Sequence, residues 1–396
     1  MAEKSISRTT DIIPSGYRLR IPGPTAVPER VRQAMALPVL SHRGPEFRTI
    51  LTDCVDMLRG VAGTKGDVFL FGGSGTAGME AALTNVLSPG DAILVLVNGQ
   101  FGERFVSIAE TRGAQVDRVE VPWGEACDPA EVASRLRARR YRAVACVHNE
   151  SATGVVTDIA AIGALLAGTD TLLIVDSVSG LAGIDVRMDA WGIDILVGAS
   201  QKALMSPPGL AVLAVGEKAM RAVEATTTPR FFFDLRKAKA ASLKGETAFT
   251  PPVSLVLGLR EALAMIHDEG LPNVLKRHRR MSEALQAGCV ALGLPMLPAT
   301  ELRSATVTVA LVPEGMEGSA IVRHMYARYH TVIAGQRTRL ANRVIRFGTM
   351  GAIGVQDILT DLEQLEETLR HLGRSIAPGA GVQAARASLE TAAALP

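Results

Sequence analysis

Three groups of residues between positions 72 and 202 have types and spacing suited to one small charged ligand. GGSGTAG (72–78) lies between an apolar run and a helical pattern. Free backbone N–H groups, a helix dipole and the hydroxyls of Ser74 and Thr76 suit a phosphate there. The same loop would also serve as a mere tight connection, since it lacks the P-loop lysine and the GxGxxG spacing. Asp176 directly follows the apolar run TLLIV. An unpaired carboxylate in such surroundings is costly to bury, so it calls for a cationic partner, unless it simply caps a helix. Lys202 stands in DILVGASQKALMSPPG, flanked by apolar or small residues and followed by the stiff turn Ser206-Pro207-Pro208-Gly209. A lone lysine is ordinarily a solvated surface residue. In partly dry surroundings it loses proton affinity and becomes a nucleophile able to form a Schiff base.

A phosphate seat, a carboxylate for a ring cation and a lysine for an aldehyde are together what pyridoxal 5′-phosphate requires. A carboxylate against the pyridine nitrogen keeps that nitrogen protonated. Phe101, in NGQFGERF, is either a stacking face for such a ring or an ordinary core aromatic.

The elements that position these residues can be read from periodicity. Apolar runs DVFLF (67–71), AILVLV (92–97), AVACV (143–147), TLLIV (171–175), DILVG (194–198) and LAVLAV (210–215) have helix-like stretches between several of them. Met79, Ala82, Leu83, Val86 and Leu87 share one face of a predicted helix. This pattern predicts an α/β fold with a largely parallel sheet covered on both faces. The loops at the carboxyl ends of such strands gather on one edge, where ligands bind. A polar, basic excursion, TTTPRFFFDLRKAKAASLKGET, precedes a helix beginning near Pro251. Beyond residue 268 the order becomes helix, strand SATVTVAL (304–311), helix, strand VIRFG (344–348), helix. The expected division is an N-terminal arm (1–20), a large domain (21–265), a smaller α+β domain (266–374) and a tail (375–396) forming a surface helix or a frayed end.

Composition narrows the function classes. At 396 residues the chain is long enough for two or three domains. A net charge of +2 provides no broad field for nucleic acid or a membrane surface. Aromatics at 4% argue against a base-stacking platform. Four scattered cysteines without a CxxC pair read as a reduced cytosolic protein, with neither a disulfide scaffold nor a metal module. The opening MAEKSISRTTDIIPSG lacks the apolar stretch of a signal peptide, and no apolar run reaches membrane-spanning length. A soluble cytoplasmic protein acting on small molecules is expected.

The combination of IPGPTAVPERVRQAM, SHRGPEF, GGSGTAGMEAALTNVLSPGD, NGQFGER, HNESATGV, VDSVSGLAGIDVRMDAWGIDIL, SQKALMSPPGLA, FTPPVSL and VIRFGTMG, in that order, resembles the class V (fold type I) pyridoxal-phosphate aminotransferases. The likeness is greatest to the alanine–glyoxylate and serine–glyoxylate group. It spans about residues 18–372 and implies a seven-stranded large domain with a smaller C-terminal α+β domain. By that resemblance Lys202 would carry the cofactor as a Schiff base and Asp176 would face its ring nitrogen. Ser74, Gly75, Thr76 and Gln201 would hold the phosphate, Phe101 would stack in a place often filled by Trp, and Ser151 would lie near the ring hydroxyl. Thr250 matches a position that reaches the neighbouring subunit's phosphate, which implies a homodimer with active sites at its interface. Arg346 would clamp the substrate carboxylate.

Two departures stand out. IAGQRTRLAN (333–342) replaces a glycine-rich loop and adds Arg337 and Arg339, either solvated or, for one of them, reading a second acidic or polar end of the amino donor. Thr349 stands where RIGHMG-type members carry His. The resemblance implies ping-pong transfer from a small donor of alanine or serine type to glyoxylate or pyruvate. Ureidoglycine, 2-aminoethylphosphonate or pyridoxamine are the alternative donors. A cysteine desulfurase-like lyase fits poorly, because the last cysteine, Cys289, lies in the helical stretch EALQAGCVALG. A non-enzymatic binding protein is also disfavoured, since no separate DNA-binding segment is evident. His148 reads as a structural hydrogen-bonder.

Overall fold

The computed structural model describes residues 9–393. Seven strands form its central sheet: β1 (Asp67–Gly73), β2 (Ala92–Val97), β3 (Gln115–Glu120), β4 (Ala143–Val147), β5 (Leu172–Asp176), β6 (Ile195–Ala199) and β7 (Gly209–Val215). Their spatial order is β1-β7-β6-β5-β4-β2-β3. Every pair is parallel except those made by β7, which runs antiparallel to both β1 and β6.

Alternate residues of one strand serve opposite faces, as the pleat requires. In β2, Ile93, Val95 and Val97 join one core while Leu94 and Leu96 join the other. Both faces are buried, which is why these strands read as unbroken apolar runs. β3 is the exception: QVDRVE carries three charges, and its place at the sheet edge tolerates them. Its polar character hid it from hydropathy, so six of the seven strands were visible as apolar runs.

Helix α1 (Pro45–Ala62) has proline at its start and ends at Gly63, whose φ of 64° is the left-handed conformation that favours glycine. Helix α2 (Gly75–Val86) follows β1 directly and packs against β1, β6 and β7. Helix α3 (Gln100–Thr111) likewise follows β2. The basic excursion contains a further helix, Leu235–Ser242. Helix α4 (Val253–Glu269) then leads straight into α5 (Leu271–Ala291).

The C-terminal part has its own antiparallel pair, β8 (Val307–Leu311) and β9 (Val344–Gly348). Helices α5, α6 (Val355–His371) and α7 (Ala380–Ala393) pack together, burying Leu285, Cys289, Leu362, Leu365 and Ala385. The expected tail therefore resolves into a packed helix over its described residues, since Ala385 alone gives it a fully buried anchor.

The N-terminal segment is a strap between the two parts. Arg18–Leu19 pairs in parallel with Thr331–Val332, and the Gly348 amide donates to the Arg20 carbonyl at 2.7 Å. The Arg20 Nε donates to the fully buried Asp361 of α6 at 2.6 Å, and Arg18 Nη2 lies 3.0 Å from its other oxygen. Thr25 completes the strap by bonding to the carbonyls of Gln201 and Lys202. Asp361→Ala is expected to destabilise the protein by about 3–5 kcal/mol, because it strands a buried guanidinium. Denaturant unfolding checks this, and a loss under about 1 kcal/mol would show the strap held by its backbone pairing alone.

Candidate active site

The site forms where the sheet's carboxyl edge meets the strap. β1 leads into Ser74, Gly75 and Thr76, the start of α3 after β2 delivers Phe101 and Arg104, β5 ends on Asp176, and the loop after β6 carries Gln201 and Lys202. With Gly23, Pro24, Met79, Val178 and Pro208 these residues line one cavity of about 220 Å³. Seven of the residues singled out in the sequence thus share a wall, although they span 128 positions of the chain, from 74 to 202.

Lys202 is 9% exposed, and its Nζ donates to the Pro22 carbonyl of the strap. Burial lowers its pKa to about 8; Asp176 works against that shift, while Arg346 and Arg104 add to it. Asp176 accepts the Val178 amide at 2.8 Å. Burial raises its pKa to about 6, against the Val178 bond and the nearby cations Arg104 and Lys202. Gly23 permits the close approach of the strap: its φ is +110°, and a Cβ there would run into the Lys202 side chain.

At the head of α2, Ser74 makes no side-chain cap, so the Gly75 and Thr76 amides are offered to the cavity side of the helix terminus. Gln201 adds a buried Oε1 that has no partner among the described residues. Arg104 Nη1 donates to the Thr76 hydroxyl at 2.9 Å, and the guanidinium lies 4.4 Å from the Phe101 ring centroid.

Arg346, on β9, is directed back toward the large sheet. Its Nη1 donates to the Ser151 carbonyl at 2.9 Å, and its Nε and Nη2 donate to the Gly335 carbonyl at 3.1 and 2.7 Å. Among the described residues it has no carboxylate partner, and burial lowers its pKa, with Glu150 opposing. Ser151 is buried beneath it, its carbonyl engaged. The two extra arginines separate. Arg339 pairs with Glu103 and Glu120 at 2.7 and 2.8 Å, whereas the exposed Arg337 pairs with no carboxylate among the described residues. Thr250 lies elsewhere, in a groove with Phe232, Phe249 and the β1 residues Phe69–Gly72.

The family model for Aminotransferase class-V matches residues 25–351. The chain belongs to the class-V aminotransferase family. This aminotransferase is 39% identical over 374 residues to the L-aspartate–glyoxylate aminotransferase of Paracoccus denitrificans, covering 92% of this chain and 94% of the other. It is 36% identical over 388 residues to the serine–glyoxylate aminotransferase of Methylorubrum extorquens, covering 95% and 96%. The crystal structure of the ureidoglycine–glyoxylate aminotransferase from Bacillus subtilis superposes with a TM-score of 0.89 at 31% identity, covering 98% of this chain and all of that one. The fold is that of the fold type I enzymes.

Sequence reading of this aminotransferase passed over three site features. Arg104 lies within NGQFGER and Glu150 within HNESATGV, where a charged residue in a polar stretch carries no periodic signal. The Pro22 carbonyl is a backbone group and has no sequence signature at all. His148 is buried with its Nδ1 2.9 Å from the Ser177 hydroxyl, and burial lowers its pKa to about 4. No group of three or more His, Cys, Asp or Glu able to hold a metal occurs among the described residues, and no helix among them is long and apolar enough to cross a membrane.

The depressed amine pKa has a direct consequence. In cofactor-free protein, reductive alkylation of Lys202 by a small aldehyde, read by mass spectrometry, is expected to rise with a midpoint near pH 8 instead of the ordinary 10.5. Asp176→Asn removes an anion that favours the ammonium form, so the midpoint should move lower. A midpoint above pH 10 in the wild type would contradict the dry cavity.

Proposed function

We propose that this aminotransferase uses pyridoxal 5′-phosphate to move the amino group of a small amino acid, of alanine or serine type, to glyoxylate, with pyruvate as the other acceptor. The observation that carries this reading is Arg346: a half-buried guanidinium without a carboxylate partner among the described residues, near enough to Lys202 to lower the pKa of its amine. A substrate carboxylate supplies the missing charge through a two-pronged contact.

The cavity suits the cofactor on two counts: the uncapped α2 terminus and an amine of lowered pKa close to a buried carboxylate. Gly75, Thr76 and Gln201, with Ser74, would hold the phosphate, Phe101 the ring face, Ser151 the ring hydroxyl side and Asp176 the ring nitrogen. Bound there, pyridoxal phosphate supplies an aldehyde to carry the amino group and a ring to accept the electron pair left at Cα. Lys202 Nζ, as a free amine, would serve as the base that takes and holds the proton of the substrate Cα. Asp176 would favour a proton on the ring nitrogen, and Arg346 would hold the substrate carboxylate.

A homodimer follows from the same reading. Thr250 lies outside its own chain's cavity, beside a groove rimmed by Phe232, with the exposed Phe231 and Leu243 nearby in sequence. A second copy covering this face would bury those side chains and bring Thr250 to the other cavity.

A second reading of the donor rests on Arg337. The loop that carries it is anchored at Gly335 on Arg346 and at Arg339 on Glu103 of α3, so Arg337 is strung between the substrate arginine and the Phe101 helix. Its free charge favours a donor with a second acid group, and one relative is named for aspartate. Ureidoglycine and pyridoxamine are further candidates, the first named in a structural relative.

Mixing the purified cofactor-bound enzyme with alanine, serine, glycine, aspartate, ureidoglycine, 2-aminoethylphosphonate and pyridoxamine, each alone, and following loss of the visible cofactor band identifies the donor. Response to none would overturn the proposal. Lys202→Ala should abolish turnover and that band. Arg346→Ala should raise KM for acid substrates by about a hundredfold, the scale of two hydrogen bonds to a charged group. Unchanged aspartate preference in Arg337→Ala would remove the second reading.

A further inference from the structure

Glu150 is a fully buried carboxylate with no part in the mechanism above. It lies on the short strand Asn149–Glu150, which pairs with Val155–Val156. Its Oε2 accepts the backbone amides of Phe101 at 2.8 Å and Gly102 at 3.3 Å. Its Oε1 accepts the Ala152 amide at 2.9 Å. The first two donors open α3, whose N-cap Gly99 has no side chain to satisfy them, so a carboxylate from another strand does so. The close approach depends on that glycine, since a Cβ at Gly99 would overlap the Glu150 carboxyl. The Ala152 amide belongs to the turn whose Ser151 carbonyl accepts Arg346.

One carboxylate therefore grips the backbone of Phe101 with one oxygen and the turn under Arg346 with the other. We propose that Glu150 is a positioning residue that sets the stacking wall and the substrate arginine relative to each other. Cofactor ring and substrate carboxylate are thereby held in one geometry. This rests on the reading that pyridoxal phosphate lies against Phe101 and that Arg346 takes the substrate carboxylate. The charge serves the same end: Glu150 is the anion that offsets Arg346, and burial raises its own pKa to about 7. A carboxylate accepts at both oxygens, whereas an amide accepts at one and donates at the other. Glu150→Gln must therefore release either the Phe101 side or the Ala152 side.

The test uses full-length protein, with and without cofactor. Apo Glu150→Gln is expected to bind pyridoxal phosphate about tenfold more weakly by quenching of tryptophan emission, the scale of one hydrogen bond to a charged group. In the loaded variant the visible circular dichroism band of the cofactor should shrink. KM for the 2-oxo acid should rise by about tenfold while kcat stays within about threefold. A variant that melts at a lower temperature but keeps both affinities within about twofold overturns the proposal, as does one in which kcat alone falls. If Glu150→Gln does not fold, Glu150→Asp, which keeps the charge but shortens the reach by one methylene, undergoes the same measurements. Failure of both to fold assigns the carboxylate to the fold and overturns the positioning role. Wild-type protein that binds no pyridoxal phosphate would overturn the underlying reading together with this one. Binding by the wild type with undiminished binding by the variants overturns this one alone.

Discussion

The burial of one amine, that of Lys202, sets the terms for the rest of the structure. An ammonium group in a dry cavity is costly, and the cost must be offset by nearby opposite charge or by loss of the proton. This chain uses both: Asp176 lies close enough to favour the ammonium, while burial lowers the pKa enough to make the free amine accessible. The Pro22 carbonyl takes the remaining hydrogen bond. Each of these needs a rigid support, and the central sheet with its strap provides it.

Parallel strands answer that need because they send all their carboxyl ends to one edge. Phosphate-seat residues, stacking ring, buried acid and lysine come from four different strands, yet no loop longer than a few residues separates most of them from the sheet. The exception, β7, turns back antiparallel through the stiff Pro207-Pro208 segment and so closes the cavity beside Lys202. Arg346 comes from outside this sheet altogether. Its link to Ser151, the strap's bond to Asp361 and the Arg339–Glu103 pair are three polar ties that join the C-terminal layer to the cavity rim.

Much of this was legible beforehand for definite reasons. A strand buried on both faces must be apolar throughout, so six strands could be read directly; β3, an edge strand with three charges, could not. Asp176 and Lys202 were conspicuous as charges in apolar company. Glu150 and Arg104 were not, because each has a polar neighbour in sequence, and the contacts that place them come from segments elsewhere in the chain. Arg337 and Arg339 looked alike in RTR, and only the position of Glu103 and Glu120 distinguishes a paired side chain from an unpaired one.

Taken alone, the sequence determined the class of fold, six of the seven central strands and the residue types able to do the chemistry, because these follow from local periodicity and from the cost of burying charge. Only the tertiary structure decided which charges face one another. It put the strap on Lys202, left Arg346 and Arg337 without a carboxylate among the described residues, set Thr250 apart from its own chain's cavity, and tied Phe101 to Arg346 through Glu150. Pairings of that kind depend on distances between segments about fifty to two hundred residues apart, and no local pattern encodes such distances.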